Sequence, residues 1–232
     1  MTTNSILDDQ LFFSKLRNNQ KRGKGLLILF YVHLVMAVIN LGMTLRWHFL
    51  SDAQLHKEFF SSSSSSNDWY EYLQNYFALG YLTLHIASTI WFIVWFKGLY
   101  ANLYNSRLKP LRFQRTMASI SWFLPVIALY RPFLIMREIW TAMQTYLTKH
   151  LDGFRTKPFA ILGVWWLFFN LSKITNRLSI YHIFHSEEVA AIKAHLIQFD
   201  IDSVIQLITV LVTIQLIKDT SNLELQFYIC YN

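Results

Sequence analysis

The sequence is poor in the residues that cross-linked or turn-rich soluble folds depend on. Cys230 is the single cysteine among 232 residues, so the chain can form no internal disulfide and no thiolate metal cluster. Glycine and proline occur only 7 and 4 times, which argues against a β-barrel or sandwich, because those folds need many turns. Charged residues make up 15%, below the roughly 25% of an average soluble protein. The composition therefore favours long helices joined by few loops.

Apolar and aromatic residues are abundant instead. They account for 53% and 17% of the chain, and the mean hydropathy is +0.27 even though polar loops dilute it. The net charge is +7, and the basic residues flank the apolar blocks, as the positive-inside rule and anionic lipid headgroups require. Because no RNA- or DNA-binding motif accompanies this charge, the predicted partner is the lipid bilayer with its anionic headgroups, and not nucleic acid.

Residues 1–24 are polar and basic and are predicted to form a cytoplasmic amphipathic flank. Ser5 and Asp8 give the Ser-x-x-Asp pattern of a helix start. The segment is either a membrane-surface helix or a solvated basic flank, and the sequence leaves both interpretations open. A cleaved signal peptide is not expected, because this long polar stretch precedes the first apolar run.

Two long blocks without formal charge, residues 25–45 and 75–96, are predicted to span the membrane. At about 1.5 Å per residue, each block crosses the roughly 30 Å hydrocarbon layer as a helix. Between them, residues 61–66 are consecutive serines, which cannot build a core and are predicted to be flexible. These two blocks make the first two spans of the predicted fold.

Three further apolar blocks are short: residues 117–130, 158–174 and 203–217. Pro125 lies near the middle of the first of them, so that block is predicted to be re-entrant or kinked. The positive-inside rule favours four crossings with both termini cytoplasmic over five crossings, since more of the Lys and Arg residues then lie inside. The predicted fold is an all-α polytopic helical bundle in the cytoplasmic (inner) membrane, with five spans as the alternative.

A helix lying at the membrane interface is predicted for residues 133–149. Its large apolar side chains recur at spacings of three and four and so share one face: Phe133, Met136, Trp140, Met143 and Leu147. Residues 25–217 are assigned to one transmembrane helical domain, and residues 218–232 to a C-terminal tail.

A cluster of motifs in the middle of the chain resembles a known family. The motifs are Trp122-Phe123-Leu124-Pro125, Arg131-Pro132, Met136-Arg137-Glu138-Ile139-Trp140 and the pair Trp165-Trp166. With the layout of residues 75–217, they are similar to a bacterial family of membrane proteins, the domain of unknown function 4328. Pro125, Pro132, Trp165 and Trp166 belong to its structural motif. The resemblance implies a membrane location and no assigned reaction, cofactor or partner.

The first candidate site groups Arg131, Arg137 and Glu138 with Trp122 and Trp140. An arginine presents five donors in a planar fork that suits phosphate, and tryptophans favour the membrane interface, so this group suits a lipid headgroup. The alternative is structural: Glu138 neutralises a nearby arginine while the tryptophans anchor the interface. The sequence favours the structural role somewhat.

The second candidate is the pair His33 and His85, which lie near the centres of the first two blocks. Both imidazoles are therefore expected near the bilayer midplane, where ionisable residues are costly. If the rings face each other, they suit haem or a proton relay. The favoured alternative is two neutral histidines hydrogen-bonded to neighbouring helices, with partners among Asn40, Asn170 and Gln206. We therefore expect no cofactor, and haem is the alternative.

Motifs of soluble enzymes are missing from the sequence, which contains no Walker loop, GxSxG, HExxH or CxxC, so no catalytic residue is assigned. His185, Glu187 and Glu188 are neighbours, but such a group is far more often a solvated turn than a metal site, and no metal is expected. The predicted function is a non-catalytic membrane scaffold, sensor or lipid-contacting protein. The alternatives are a small-solute transporter or channel component, which a broken third block would suit, and a haem-binding redox protein.

Overall fold

The computed structural model describes the backbone of residues 3–50, 68–106, 111–183 and 189–231. Within these ranges every regular element is helical, which confirms the predicted all-α fold. The serine run at residues 61–66 and the group of His185, Glu187 and Glu188 lie outside the described residues, so the expectations for them stay predictions.

Six α-helices make up the described fold, and one of them is a single turn. In chain order they are α1 (Thr3–Arg46), α2 (Asp68–Asn105), the short α3 (Met117–Ile120), α4 (Arg131–His150), α5 (Ala160–Ile183) and α6 (Val189–Tyr231). Two short 3₁₀ helices, Trp47–Phe49 and Ile127–Leu129, follow α1 and α3. Long uninterrupted helices are what the scarcity of glycine and proline favours.

Three of these helices contain segments long and apolar enough to cross a membrane. The segments are Asn19–Arg46 in α1, Asn75–Asn105 in α2 and Leu196–Cys230 in α6. The described side chains of α5 include a shorter apolar segment, Ala160–Thr175. A span needs about 20 predominantly apolar residues. The chain is therefore a multi-pass membrane protein, and the exact number of crossings stays a prediction.

The third apolar block, residues 117–130, is not one helix. Its backbone forms the single turn of α3, passes through turns around Pro125 and then forms the 3₁₀ helix. Proline lacks the amide donor that a continuing helix would need. Phe123 and Val126 are 73% and 74% exposed, so the break turns apolar side chains outwards. The predicted kink is confirmed, and entry of this block into the membrane stays a prediction.

Helix α4 is amphipathic. It begins at Arg131 with Pro132 in its first turn, where the missing amide donor costs no helical hydrogen bond. Its buried face consists of Pro132, Ile135, Met136, Ile139, Trp140, Met143, Gln144 and Leu147. Arg137 lies on the exposed face. The helix contains the segment predicted at 133–149, although Phe133, assigned to the apolar face, is only half-buried.

The first and the last described residues belong to the same helices as two of the candidate spans. Helix α6 runs through residues 203–217 and on to Tyr231, so the residues predicted as a C-terminal tail extend the same helix. Helix α1 likewise joins residues 3–24 to the first apolar block without a break. The backbone is thus helical across the boundaries drawn from composition at residues 24 and 217.

The chain divides into two compact units. The first consists of Met1–Phe30, Ala87–Trp166 and Thr213–Asn232, and the second of Tyr31–Ile86 and Leu167–Val212. Large aromatic side chains fill the core of the first unit, and those that are fully buried are Trp95, Phe96, Tyr100, Trp140, Trp165, Phe227 and Tyr228. Such side chains bury about 150–250 Å² each and so dominate the packing energy of a core.

The second unit has a much smaller described core. Its buried apolar residues, among the side chains that the structure describes, are Ala37, Leu196 and Val210. Many of its larger apolar side chains are exposed, including Val35, Leu79 and Leu167. In a membrane protein such side chains face lipid, which is as apolar as they are.

Candidate functional site

A polar groove of about 690 Å³ lies along the exposed face of α4 in the first unit. Its lining comes from α4 and from the segment before α3: Leu111, Arg112, Phe113, Leu134, Arg137, Glu138, Thr141, Ala142, Thr145, Tyr146, Lys149 and His150. A smaller cavity of about 230 Å³ shares Thr141 and Thr145 with it and reaches Lys157. The α4 side chains face one way because they recur every three or four residues.

The groove carries a surplus of positive charge. Arg112, Arg137 and Lys149 line it and are all exposed, and Glu138 is the acidic residue in the lining. The hydroxyl groups of Thr141 and Thr145 lie on the same helix face, and that of Thr141 donates to the carbonyl oxygen of Arg137 at 2.8 Å. Cations beside the Thr145 hydroxyl match the chemistry of a phosphate group, which accepts hydrogen bonds and attracts positive charge.

The carboxylate of Glu138 is already occupied by hydrogen bonds within the protein. Its Oε1 accepts from the backbone N–H of Arg112 at 2.8 Å, and its Oε2 lies 3.0 Å from the Tyr100 hydroxyl. That hydroxyl also lies 2.9 Å from the carbonyl oxygen of Phe113 and accepts from the Phe113 N–H at 3.2 Å. Glu138 and Tyr100 thereby fix the backbone that presents Arg112 to the groove.

The arginines proposed from the sequence do not act as one group. Arg137 and Glu138 line the same groove, but Arg131 is not part of its lining. The Arg131 guanidinium instead lies 5.6 Å from the ring centroid of Phe113, with one nitrogen 3.5 Å from the sulfur of Met117. Among the described residues, Glu138 forms no ion pair with either arginine. It holds the backbone of Arg112 directly and that of Phe113 through Tyr100.

The tryptophans of the family motif pack inside the first unit. Trp122 packs edge to face against Phe92 and Phe96, with ring centroids 5.7 and 5.6 Å apart. The ring centroids of Trp165 and Trp166 lie 5.3 Å apart. The Trp166 indole N–H donates to the carbonyl oxygen of Leu129 at 3.1 Å, which ties the broken third block to α5. The three tryptophan rings therefore hold the broken third block, residues 117–130, in place, and they do not line the groove.

Trp140 and the two prolines of the motif have structural positions as well. Trp140 is buried on the inner face of α4, Pro132 is buried in its first turn, and Pro125 is exposed at the break in the third block. Trp140 also lines the smaller cavity.

The structure brings His33 and His85 together in the second unit. Their ring centroids lie 5.6 Å apart at an interplanar angle of 84°, and His33 also contacts Tyr81 edge to face at 5.2 Å. Asn40, a predicted partner, donates instead to the Ser203 hydroxyl at 3.1 Å. Within the described residues, no three His, Cys, Asp or Glu side chains are grouped to hold a metal ion. The haem and proton-relay interpretations stay predictions.

A buried polar cluster in the first unit was not found from the sequence. Glu224 is 0% exposed, and its carboxylate accepts from three side-chain amides. Asn102 donates at 2.7 Å, Asn19 donates at 3.0 and 3.1 Å to the two oxygens, and Gln20 donates at 3.3 Å. The amide of Gln20 also donates to the backbone carbonyl of Ser221 at 3.0 Å. Helices α1, α2 and α6 are joined at this point.

The sequence contains a signal for this cluster. Five residues of α6 are buried at spacings of three and four: Thr220, Leu223, Glu224, Phe227 and Tyr228. An acidic residue inside an apolar helical stripe is unusual and marks either a functional site or a specific polar contact. The pattern was missed because residues after 217 were assigned to a tail.

Gly98 makes room for the cluster. A Cβ atom added there would overlap the side-chain amide of Asn19, which packs directly against the backbone of α2. Glycine is the residue that allows another group to approach a helix backbone so closely. The position of Asn19, and with it one donor to Glu224, depends on this glycine.

Comparison with known proteins supports the resemblance found in the motifs. No curated protein and no solved structure matches the chain at a significant level. Residues 62–222 match the family model described as "Domain of unknown function (DUF4328)", and this segment includes the whole groove and Asn102 but neither Asn19 nor Glu224. Because the match covers more than half of the sequence, the chain belongs to the DUF4328 family.

Proposed function

We propose that this protein binds the headgroup of an anionic membrane lipid in the groove on α4, as a non-catalytic, lipid-contacting membrane protein. The observation that carries the proposal is the charge of the groove. Arg112, Arg137 and Lys149 line it, while the carboxylate of Glu138 accepts hydrogen bonds from Tyr100 and from a backbone amide. The groove therefore offers free positive charge to a ligand and no free carboxylate to oppose it.

The broken third block supports a position at the membrane surface. Phe123, Val126 and Leu129 turn apolar side chains outwards, and the block lies between Arg115 and Arg131. An exposed apolar segment flanked by arginines suits the boundary between acyl chains and anionic headgroups. The outward direction of these side chains favours lipid contact over the lining of a transport cavity, and so favours this function over the transporter alternative.

We infer from the distribution of Lys and Arg that the protein lies in the inner membrane and that its groove faces the cytoplasm. The N-terminus would then lie on the cytoplasmic side as well. The third block would then enter and leave the membrane on that side. A Thr145→Cys variant in a Cys230→Ser background tests this, because Thr145 is exposed in the groove. We expect it to react only with reagents applied from the cytoplasmic side, and reaction from the outside alone would contradict the inference.

The lipid proposal is tested with the purified full chain in nanodiscs of zwitterionic lipid, to which phosphatidylglycerol is added. The double variant Arg137→Ala/Lys149→Ala removes two groove charges from exposed positions, so the fold should be retained. Each Lys or Arg near the surface contributes about 1 kcal/mol to the attraction of anionic lipid. Losing two should weaken phosphatidylglycerol binding about 30-fold, measured as a dissociation constant by native mass spectrometry.

A matched control separates the groove from general attraction of charge. Arg115→Ala/Arg155→Ala removes two exposed charges that do not line the groove. We expect this control to retain most of the affinity of the wild-type protein. Equal losses in the two double variants would show that the whole basic surface attracts lipid, and that the groove is no specific site.

A further inference from the structure

The Glu224 cluster has a carboxylate in an environment that disfavours an isolated negative charge. Glu224 is 0% exposed, and its hydrogen bonds come from neutral amides of Asn19, Gln20 and Asn102. Neutral donors reduce the cost of burying a charge but do not cancel the charge. A buried carboxylate without a positive partner is strongly destabilising.

The charged side chains described on the packed helices do not supply that partner. Lys21 on α1, Lys97 on α2 and Lys218 on α6 are exposed, and the half-buried Arg22 on α1 forms no ion pair with Glu224. Asp219, the acidic residue of α6 nearest to Glu224 in sequence, pairs with Lys157. Within the described residues, Glu224 forms no ion pair. The described side chains of α1 and α2 that contact Glu224 are therefore polar but uncharged.

Three further polar atoms of the first unit have no hydrogen-bond partner among the described residues. They are Asn19 Oδ1, Ser221 Oγ and Trp95 Nε1, and all three are buried. Ser221 Oγ and Trp95 Nε1 lie 2.9 and 3.1 Å from the position that a Cβ atom would take on Gly23. Buried polar atoms are rarely left unpaired, and the presence of three of them on the helices that meet at Glu224 indicates a site for a bound species.

We propose that Glu224 is the centre of a binding site for a small monovalent cation, either a proton or a sodium ion, inside the first unit. The oxygens available to such a cation are those of the carboxylate itself and the amide oxygens of Asn19 and Asn102, whose NH₂ groups bond the carboxylate. A half-turn of either asparagine amide replaces an N–H donor by an oxygen acceptor. The amides can thus satisfy the carboxylate when the cation is absent and share the cation when it is bound.

This site is separate from the proposed lipid groove. It uses Asn19 and Glu224, which lie outside the segment matched by the family model, whereas the groove lies entirely within that segment. The two proposals therefore stand or fall independently. A cation bound at Glu224 would remove the buried negative charge and strengthen the junction of α1, α2 and α6.

The test measures the thermal midpoint of the full chain in zwitterionic nanodiscs in two titrations. In the first, sodium chloride replaces choline chloride at constant pH and ionic strength. In the second, pH is lowered from about 9 to about 5 without sodium, the range in which buried carboxyl groups titrate. We expect the midpoint to rise in the first titration if sodium is the ligand. We expect it to rise only in the second titration if the ligand is a proton, because binding then neutralises the buried charge.

Variants assign the response to this site. Glu224→Gln keeps the shape and removes the charge, so the response should disappear. Asn102→Ala keeps the carboxylate and removes its amide partner. If sodium is the ligand, affinity should weaken about tenfold through the loss of one amide oxygen. If the ligand is a proton, binding should instead strengthen, because the Asn102 amide donates to the ionised carboxylate and stabilises it. Asp219→Asn, on the same helix but paired with Lys157, should respond as the wild type does. A wild-type midpoint that is flat in both titrations would overturn the proposal without any variant, and so would an equal response in Glu224→Gln.

Discussion

The two units of this protein differ in what surrounds their apolar side chains. The first unit buries Trp95, Trp140 and Trp165 and ties three helices together at Glu224. The second unit buries few of its described apolar residues and exposes many others. Because lipid is as apolar as a leucine side chain, such exposure carries no hydrophobic cost in a membrane. We infer that packing stabilises the first unit and that the bilayer accounts for more of the stability of the second.

This comparison shows that apolar content and burial are separate properties in a membrane protein. Helices α1, α2 and α6 are apolar along most of their length, yet each contributes to both units. Side chains from the same helix therefore experience different surroundings. Matched substitutions on one helix, made once in each unit, test the difference most directly.

The largest contrast is expected on α5. Leu162 is fully buried in the first unit, so Leu162→Ala should leave a cavity and lower the free energy of unfolding by about 2–5 kcal/mol. Leu167 lies in the second unit and is 62% exposed, so Leu167→Ala should cost under about 1 kcal/mol. Both are measured by equilibrium unfolding in mixed micelles, and equal losses would remove the distinction between the units.

A smaller contrast is expected on α2, where two matched substitutions should change stability in opposite directions. In Gly98→Ala the new methyl group would overlap the amide of Asn19, so unfolding should become easier by about 1–3 kcal/mol. Gly80 in the second unit has no atom within 4 Å of an added Cβ, so Gly80→Ala should stabilise by about 0.5–1 kcal/mol through helix propensity. Thermal midpoints should move in opposite directions, and a shift of both in one direction would contradict the close approach of Asn19.

The smallest effect is expected from a polar contact in the second unit. The hydrogen bond from Asn40 to Ser203 joins α1 and α6 at 3.1 Å. Hydrogen bonds between membrane helices average about 0.6 kcal/mol in double-mutant cycles. A cycle with Asn40→Ala and Ser203→Ala should give a coupling of that size. A coupling above about 2 kcal/mol would mean that polar contacts, and not lipid, hold this unit together.

Much of the fold could be predicted because it depends on local properties. Residues 25–45 and 75–96 are long, apolar and free of charge, and the structure has candidate spans at both. The break at Pro125 follows from the missing donor of proline. The extension of α6 beyond residue 217 was not predicted, because the charged residues Lys218 and Asp219 end the apolar block. That part of the helix is supported by tertiary packing, including the edge-to-face contact of Phe227 with Tyr146, whose ring centroids lie 5.0 Å apart.

The candidate groove was predicted only in part. Arg137 and Glu138 are adjacent, and Lys149 follows Glu138 at a helical spacing, so one stripe of α4 could be read from the sequence. Arg131 and Arg137 are six residues apart, about 240° around a helix, and this separation is visible only once the helix is placed. Arg112 comes from another segment, and its place beside Glu138 depends on hydrogen bonds that no local pattern encodes.

The sequence by itself determined that this is an all-α membrane protein. Backbone groups in lipid must pair within their own segment, and only long apolar helices with so little glycine and proline fit that rule here. The tertiary structure decided which polar side chains meet. Asn19 and Glu224 are 205 residues apart and share no periodic pattern, so only the packing of α1, α2 and α6 could bring them together.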